Sequence, residues 1–267
     1  MNSLEKISLK IPYEKVGLNP KNFHPELETV TLKFSPEIGI RKRPAVIICP
    51  GGGYEYLSDR ETLPVAMRFA SHGINAFILR YSINSPFPAA LLELAYAVKY
   101  VRENAEKYDI DPDKILLCGF SAGGHLTASL GTLWNSEYLQ SIIGSTEMFK
   151  PNGMILCYPV ITSGKYTHSG SMKCLLGDDP DPELFEKMSL EKQVTENAPH
   201  AFIWHTSEDG LVPLENSLYI AEALHEKGID VEMHIYPKGH HGLSLCDGTV
   251  SKKEDISDAV KYCSDWV

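Results

Sequence analysis

No stretch of this sequence stays apolar long enough to span a bilayer. The opening residues Met1-Asn2-Ser3-Leu4-Glu5-Lys6 also lack the basic segment and apolar run of a secretory leader. The expectation is a cytoplasmic protein with no membrane partner. Excess positive charge is missing as well: 25 Lys and Arg face 35 Asp and Glu, a formal net charge of −10, which repels a phosphate backbone and excludes nucleic acid as an expected partner. The six cysteines, Cys49, Cys118, Cys157, Cys174, Cys246 and Cys263, lack the short paired spacings of a zinc site or a disulfide scaffold. Cys49, Cys118 and Cys157 each close an apolar run and read as reduced core thiols. No internal repeat or low-complexity tract occurs, and no phosphate-binding G-x-x-x-x-G-K-[ST] or G-x-G-x-x-G pattern joins a strand to a helix.

What is present is enough apolar material, 43% of 267 residues, for one sizeable core, so residues 1–267 are read as a single domain. Ala45–Cys49, Ala76–Arg80, Ile115–Cys118, Met154–Cys157 and Ala201–His205 are short apolar runs without polar alternation, as in strands covered on both faces. Helical patterns lie between them: Pro64–Ala70 runs toward Gly73, and Ala89–Tyr108 places Leu91, Leu92, Ala95, Val98, Val101 and Ala105 on one stripe. The alternation predicts an α/β fold with a mostly parallel central sheet flanked by helices. Ile7–Ile11 and Val30–Phe34 alternate apolar with polar residues and are expected to form an antiparallel N-terminal edge. Residues 161–199 are weakly patterned and broken by Gly164, Gly170, Gly177 and Pro180, which suggests a small cap-like insertion.

The chemistry-bearing residues follow the ends of these strands. Gly119-Phe120-Ser121-Ala122-Gly123, between a strand and a helical run, fits the G-x-S-x-G elbow, whose small residues permit a turn sharp enough to expose the serine hydroxyl at a helix N-terminus. Ser121 is the candidate nucleophile. Pro50-Gly51-Gly52-Gly53-Tyr54 follows the Cys49 strand, and successive glycines let backbone N–H groups approach a developing oxyanion. An acid and then a base are required downstream. Asp209 is the favoured acid, in the polar loop after Ala201–His205, with Glu208 as its alternate. Of the histidines beyond it, His225 falls on a helical run and His234 on a strand, leaving His240 and His241 in a glycine-flanked loop. A metal held by that adjacent pair is disfavoured, since neighbouring residues rarely converge on one ion and no further ligand accompanies them at useful spacing.

Together, Cys49–Tyr54, Gly119–Gly124, Trp204–Pro213 and Tyr236–Leu243 resemble the acetyl esterase/lipase group of α/β-hydrolases, in the branch of carbohydrate acetyl esterases and bacterial feruloyl-esterase-like proteins. The resemblance extends over nearly the whole chain from about residue 30. It implies a serine carboxylesterase without cofactor or metal, using Ser121, Asp209 and His241. The glycine-histidine-glycine habit of the family's loop favours His241 over His240. By the same analogy, the N–H groups of Gly52, Gly53 and Ala122 form the oxyanion hole. Pro50 departs from the histidine usual at the head of the HGGG loop. The implied partner is a small ester or an acetylated sugar; a homo-oligomer stays open. Tyr54 and residues 161–199 are the candidates for shaping the pocket. A peptidase of the same fold and a binding protein that has lost its chemistry are the rivals, and the presence of all three triad residue types argues against the second.

Overall fold

The computed structural model describes residues 5–39 and 42–248. In chain order the elements are β1 (Lys6–Ser8), β2 (Glu26–Val30), β3 (Arg43–Cys49), α1 (Leu63–Ser71), β4 (Asn75–Arg80), α2 (Ala89–Glu103), β5 (Ile110–Phe120), α3 (Ala122–Leu133), α4 (Glu137–Ile143), β6 (Gly153–Cys157), α5 (Ser169–Leu176), α6 (Pro182–Lys187), β7 (Ala201–Thr206), α7 (Glu215–Glu226) and β8 (Val231–Tyr236). The strands form one eight-stranded sheet in the order β1-β2-β4-β3-β5-β6-β7-β8. From β4 to β8 every pairing is parallel, while β1 and β2 join antiparallel at the N-terminal edge.

Apolar side chains leave the central strands on both faces, which explains the absence of polar alternation. Ala45, Ile47 and Cys49 of β3 pack with the α2 residues Leu91, Leu94, Ala95 and Val98, whereas Val46 and Ile48 pack with Val65, Ala66 and Phe69 of α1. Farther along the sheet, Met154, Leu156, Ala201 and Ile203 meet Ile220 and Leu224 of α7. Cys49, Cys118, Cys157 and Cys246 are buried free thiols and Cys174 is half-buried; Cys263 lies outside the described residues. No helix among the described residues is long and apolar enough to cross a membrane.

Three expectations need correction. The first edge strand is Lys6–Ser8, not Ile7–Ile11. The second edge strand is Glu26–Val30, not Val30–Phe34. Beyond Val30, side chains replace the ladder as partners: the Leu32 N–H donates to Asn75 Oδ1 (2.8 Å) and the Phe34 N–H to Asp109 Oδ2 (2.9 Å). The long helix stops at Glu103, where Asn104 Nδ2 donates to the Tyr100 carbonyl, so the apolar stripe outlasts the helix that carries most of it. Residues 161–199 fold as α5, α6 and a 3-10 turn at Leu190–Gln193. Their entry is fastened to α7 by Asn216 Oδ1, which accepts the N–H groups of Ile161 and Thr162.

The strand order fixes where a site can form. After β3 the chain goes to one side to make β4, then crosses back to make β5 on the other side of β3, so the loops leaving β3 and β5 diverge around a crevice. Register puts Cys49 opposite Gly119, Phe120 opposite Cys157 and Thr206 opposite Tyr236. The segments carrying Gly51–Gly53, Ser121, Asp209 and His241 thus all leave the same, C-terminal edge of the sheet.

Candidate active site

Ser121 occupies a single residue between β5 and α3, with φ 54° and ψ −117°, a region that a residue with a Cβ enters only when its surroundings force it, at a cost of about 1–3 kcal/mol. The forcing contacts are visible. Its N–H donates to the Cys157 carbonyl (3.0 Å), and its carbonyl accepts from the N–H groups of Val160 (3.0 Å) and His125 (3.1 Å). Close packing supplies the rest: a Cβ on Gly123 would lie 2.1 Å from the Cys49 carbonyl oxygen, so only glycine lets the first turn of α3 approach the end of β3.

A line of hydrogen bonds runs from the serine. Ser121 Oγ is 2.7 Å from His241 Nε2, and His241 Nδ1 is 2.6 Å from Asp209 Oδ2. A carboxylate only accepts, so Nδ1–H donates to Asp209 and Nε2 is left to accept the serine proton. Asp209 Oδ1 accepts the N–H groups of Leu211 (3.0 Å) and Val212 (2.9 Å). Burial pushes the Asp209 carboxyl up, but the hydrogen bonds from His205, His241 and Val212 outweigh it and hold the group well below the usual carboxylate range. Glu208 points elsewhere and pairs with Lys238. His240 is exposed, with its Nδ1 2.7 Å from the His241 carbonyl.

The glycine loop lies beside this line. Gly52 adopts φ 126°, and a Cβ there would collide with the Tyr56 carbonyl oxygen at 2.1 Å. Among the described residues, no hydrogen bond engages the N–H of Gly52, Gly53 or Ala122. Gly52, Gly53, Ser121 and His241 border one cleft of about 230 Å³, together with Tyr56, Arg60 and His168. Tyr54 does not shape it. That side chain is 3% exposed and turned into the core, where its hydroxyl donates to His125 Nδ1 (2.9 Å). The His125 Nε2–H is committed to the Met188 carbonyl (3.2 Å), which leaves Nδ1 as acceptor, and burial lowers this histidine's pKa to about 4. Tyr56, two residues on, takes the expected place at the cleft.

Four neighbours escaped the sequence reading. His205, at the end of β7, has its Nε2 3.2 Å from Asp209 Oδ2 and 3.0 Å from the Val212 carbonyl, while Nδ1 meets Ser217 Oγ at 2.7 Å. A histidine closing an apolar strand four residues ahead of the acid was its one visible signal. His168 enters the cleft from residues 161–199; its Nδ1 accepts the Ser171 N–H (3.3 Å), placing the ring proton on Nε2. Burial, then the neighbouring His241, lowers its pKa. Glu61 and Tyr158 lie beneath the cleft, joined at 2.7 Å, with no pattern in the sequence to single them out. Among the described residues, no group of three or more His, Cys, Asp or Glu gathers in a way that could hold a metal ion.

Comparison with known proteins agrees with this architecture. The BD-FAE family model matches residues 34–224. Endo-1,4-beta-xylanase B of Butyrivibrio fibrisolvens is 42% identical over 77% of this chain and 33% of its own length. Acetylxylan esterase of Xylanibacter ruminicola is 30% identical over 79% of this chain and 43% of its own. The chain therefore spans less than half of each of these two curated relatives. The crystal structure of an acetyl ester-xyloside bifunctional hydrolase from Caldicellulosiruptor lactoaceticus superposes with a TM-score of 0.82 at 37% identity, covering 99% of this chain and 96% of that one. With its mostly parallel sheet, its serine elbow and this likeness over most of its length, the chain is an α/β-hydrolase that belongs to the BD-FAE family.

Proposed function

We propose that the protein is a serine carboxylesterase that hydrolyses short-chain acyl esters through an acyl-enzyme, acting on acetylated sugars or xylo-oligosaccharides. The observation that carries this reading is the unbroken hydrogen-bonded line from Ser121 Oγ through the His241 ring to Asp209, opening on one cleft. His241 Nε2 takes the hydroxyl proton as Ser121 Oγ bonds to the acyl carbon, and Asp209 holds the imidazole in the required tautomer and stabilises the imidazolium. The tetrahedral oxyanion is met by the N–H groups of Gly52, Gly53 and Ala122, each such donor contributing about 3 kcal/mol. Collapse of that intermediate expels the alcohol, which receives the proton from His241. Water, with His241 again as base, then releases the acid.

The small volume of the cleft suits a short acyl group. The Arg60 and His168 side chains at its border and the exposed Tyr56 ring suit a hydroxylated alcohol that can stack and hydrogen-bond. The names of the acetylxylan esterase and of the acetyl ester-xyloside hydrolase support the same substrate class. Ser121→Ala is expected to lower p-nitrophenyl acetate turnover by about four or more orders of magnitude with an unchanged circular dichroism spectrum. Turnover near the wild-type rate would refute the assignment. On the wild type, a panel of acetylated xylo-oligosaccharides against longer-chain p-nitrophenyl esters tests the substrate class; higher kcat/KM for the long acyl chains would overturn it.

A further inference from the structure

Glu61 closes the 3-10 turn Asp59–Glu61 ahead of α1 and is 2% exposed, yet esterolysis as described makes no use of it. Its carboxyl is engaged by two uncharged donors. Oε2 accepts the Gly51 N–H at 2.7 Å, and Oε1 accepts the Tyr158 hydroxyl proton at 2.7 Å. Burying a carboxylate against neutral donors is costly, so where those donors lie matters.

Gly51 begins the glycine loop. Its carbonyl is also held, by the Ser58 N–H (3.0 Å), so the residue is clamped at both its N–H and its carbonyl from the segment that bears Glu61. The next two N–H groups, of Gly52 and Gly53, are the proposed oxyanion donors. Tyr158 reaches the opposite wall. Its hydroxyl oxygen accepts the N–H of Ser244, three residues past His241, at 2.9 Å, and its ring stands edge-on to the His241 ring with centroids 5.0 Å apart. Ser244 Oγ donates back to the Arg60 carbonyl (2.7 Å), closing a ring of contacts that returns to the residue beside Glu61.

We infer that Glu61 is a positioning residue, bracing through Gly51 and Tyr158 the oxyanion-donor loop and the His241 loop at a fixed separation. The inference rests on the serine-esterase reading above. Burial raises the Glu61 carboxyl above its ordinary range, while the bonds from Tyr158 and Gly51 oppose that rise.

The test uses the full chain with p-nitrophenyl acetate, comparing Glu61→Gln, Tyr158→Phe and the double variant, each checked for a cooperative thermal melt. Each single change is expected to lower kcat by about a hundredfold with KM altered by less than about threefold, because aim rather than binding is lost. The double variant is expected to lose little more than either single, since one break opens the brace. If Glu61→Gln fails to fold, Tyr158→Phe, short of one hydroxyl, still reports on the brace through its kcat and KM. A folded variant with kcat within about threefold of wild type, a loss confined to KM, or losses that multiply in the double variant would each overturn the inference. Failure of the underlying reading looks different, because the wild type would then turn over without dependence on Ser121.

Discussion

Asp209 Oδ2 faces two imidazoles at once: His241 Nδ1 at 2.6 Å and His205 Nε2 at 3.2 Å. Both partners of His205 Nε2, this carboxylate and the Val212 carbonyl, are pure acceptors, so the ring carries its proton there and Nδ1 accepts from the Ser217 hydroxyl. The His205 N–H therefore draws negative charge away from the oxygen that, in the proposed mechanism, stabilises the His241 imidazolium. His205→Phe keeps a ring in the buried space and deletes that donor. The Asp209 charge then bears more fully on His241, and the acidic limb of the pH dependence of kcat/KM is expected to rise by about half to one pH unit. The variant is also expected to lose about 1–3 kcal/mol of stability, because Ser217 is left without its acceptor. An unmoved acidic limb would mean that His205 serves the Val212 carbonyl alone.

At the scale of the element, α3 carries the serine at its head and contains three buried glycines, of which Gly123 and Gly131 differ in what surrounds them. A Cβ on Gly123 would meet the Cys49 and Pro50 carbonyl oxygens at 2.1 and 2.5 Å, both backbone atoms at the root of the glycine loop. On Gly131 it would meet Met154 Sδ at 2.1 Å, an atom of a side chain with three rotatable bonds. Gly131→Ala also gains about 1 kcal/mol of helix propensity, whereas Gly123→Ala must part α3 from β3 and misalign the donors. In urea melts Gly123→Ala is expected to be less stable than Gly131→Ala by about 2 kcal/mol or more, and to lose the proposed esterase activity out of proportion to its stability. Equal stabilities would contradict the rigid-backbone account of the elbow. The same contrast explains what was legible in the sequence. The elbow, the glycine loop and the Asp209 loop follow apolar strands, and the His241 loop follows the mixed strand Val231–Tyr236, so strand ends and small residues mark them. Glu61, Tyr158 and His168 come together only through the crossing of β3, β4 and β5 and the fold of residues 161–199, contacts between positions far apart in the chain that leave no local pattern. Tyr54 was misjudged because a left-handed residue, φ 62°, turns its ring inward and leaves the cleft to Tyr56. The second edge strand was displaced because alternation continues past Val30, where Asn75 and Asp109 take over the hydrogen bonds.

Across the whole molecule, the N-terminal edge is tied to the rest of the fold by another buried carboxyl. Glu93 of α2 is fully buried; Oε1 accepts the hydroxyl protons of Tyr13 and Ser82, both at 2.6 Å, and Oε2 accepts the Ser82 N–H at 2.7 Å. One side chain thus joins the segment between β1 and β2, the exit of β4 and the longest helix among the described residues. Burial raises its pKa above the ordinary value of 4.5, although the bonds from Ser82 and Tyr13 oppose that rise. A carboxyl that binds its proton more tightly when folded contributes stability at low pH, and that contribution is lost as pH rises from its unfolded value through its folded one. Ionised Glu93 therefore subtracts from stability at neutral pH, even though its three hydrogen bonds hold the edge in place. Glu93→Gln does not titrate and turns an amide N–H₂ toward at least one of the three donors, at a cost of about 1–3 kcal/mol. The variant is expected to melt below the wild type at pH 7, and the gap is expected to widen as pH is lowered toward 4.5, because only the wild type regains stability on protonation. Melting temperatures of the two proteins across that range test the argument; a gap that narrows on acidification would mean that Glu93 is more acidic in the folded protein than in the unfolded chain.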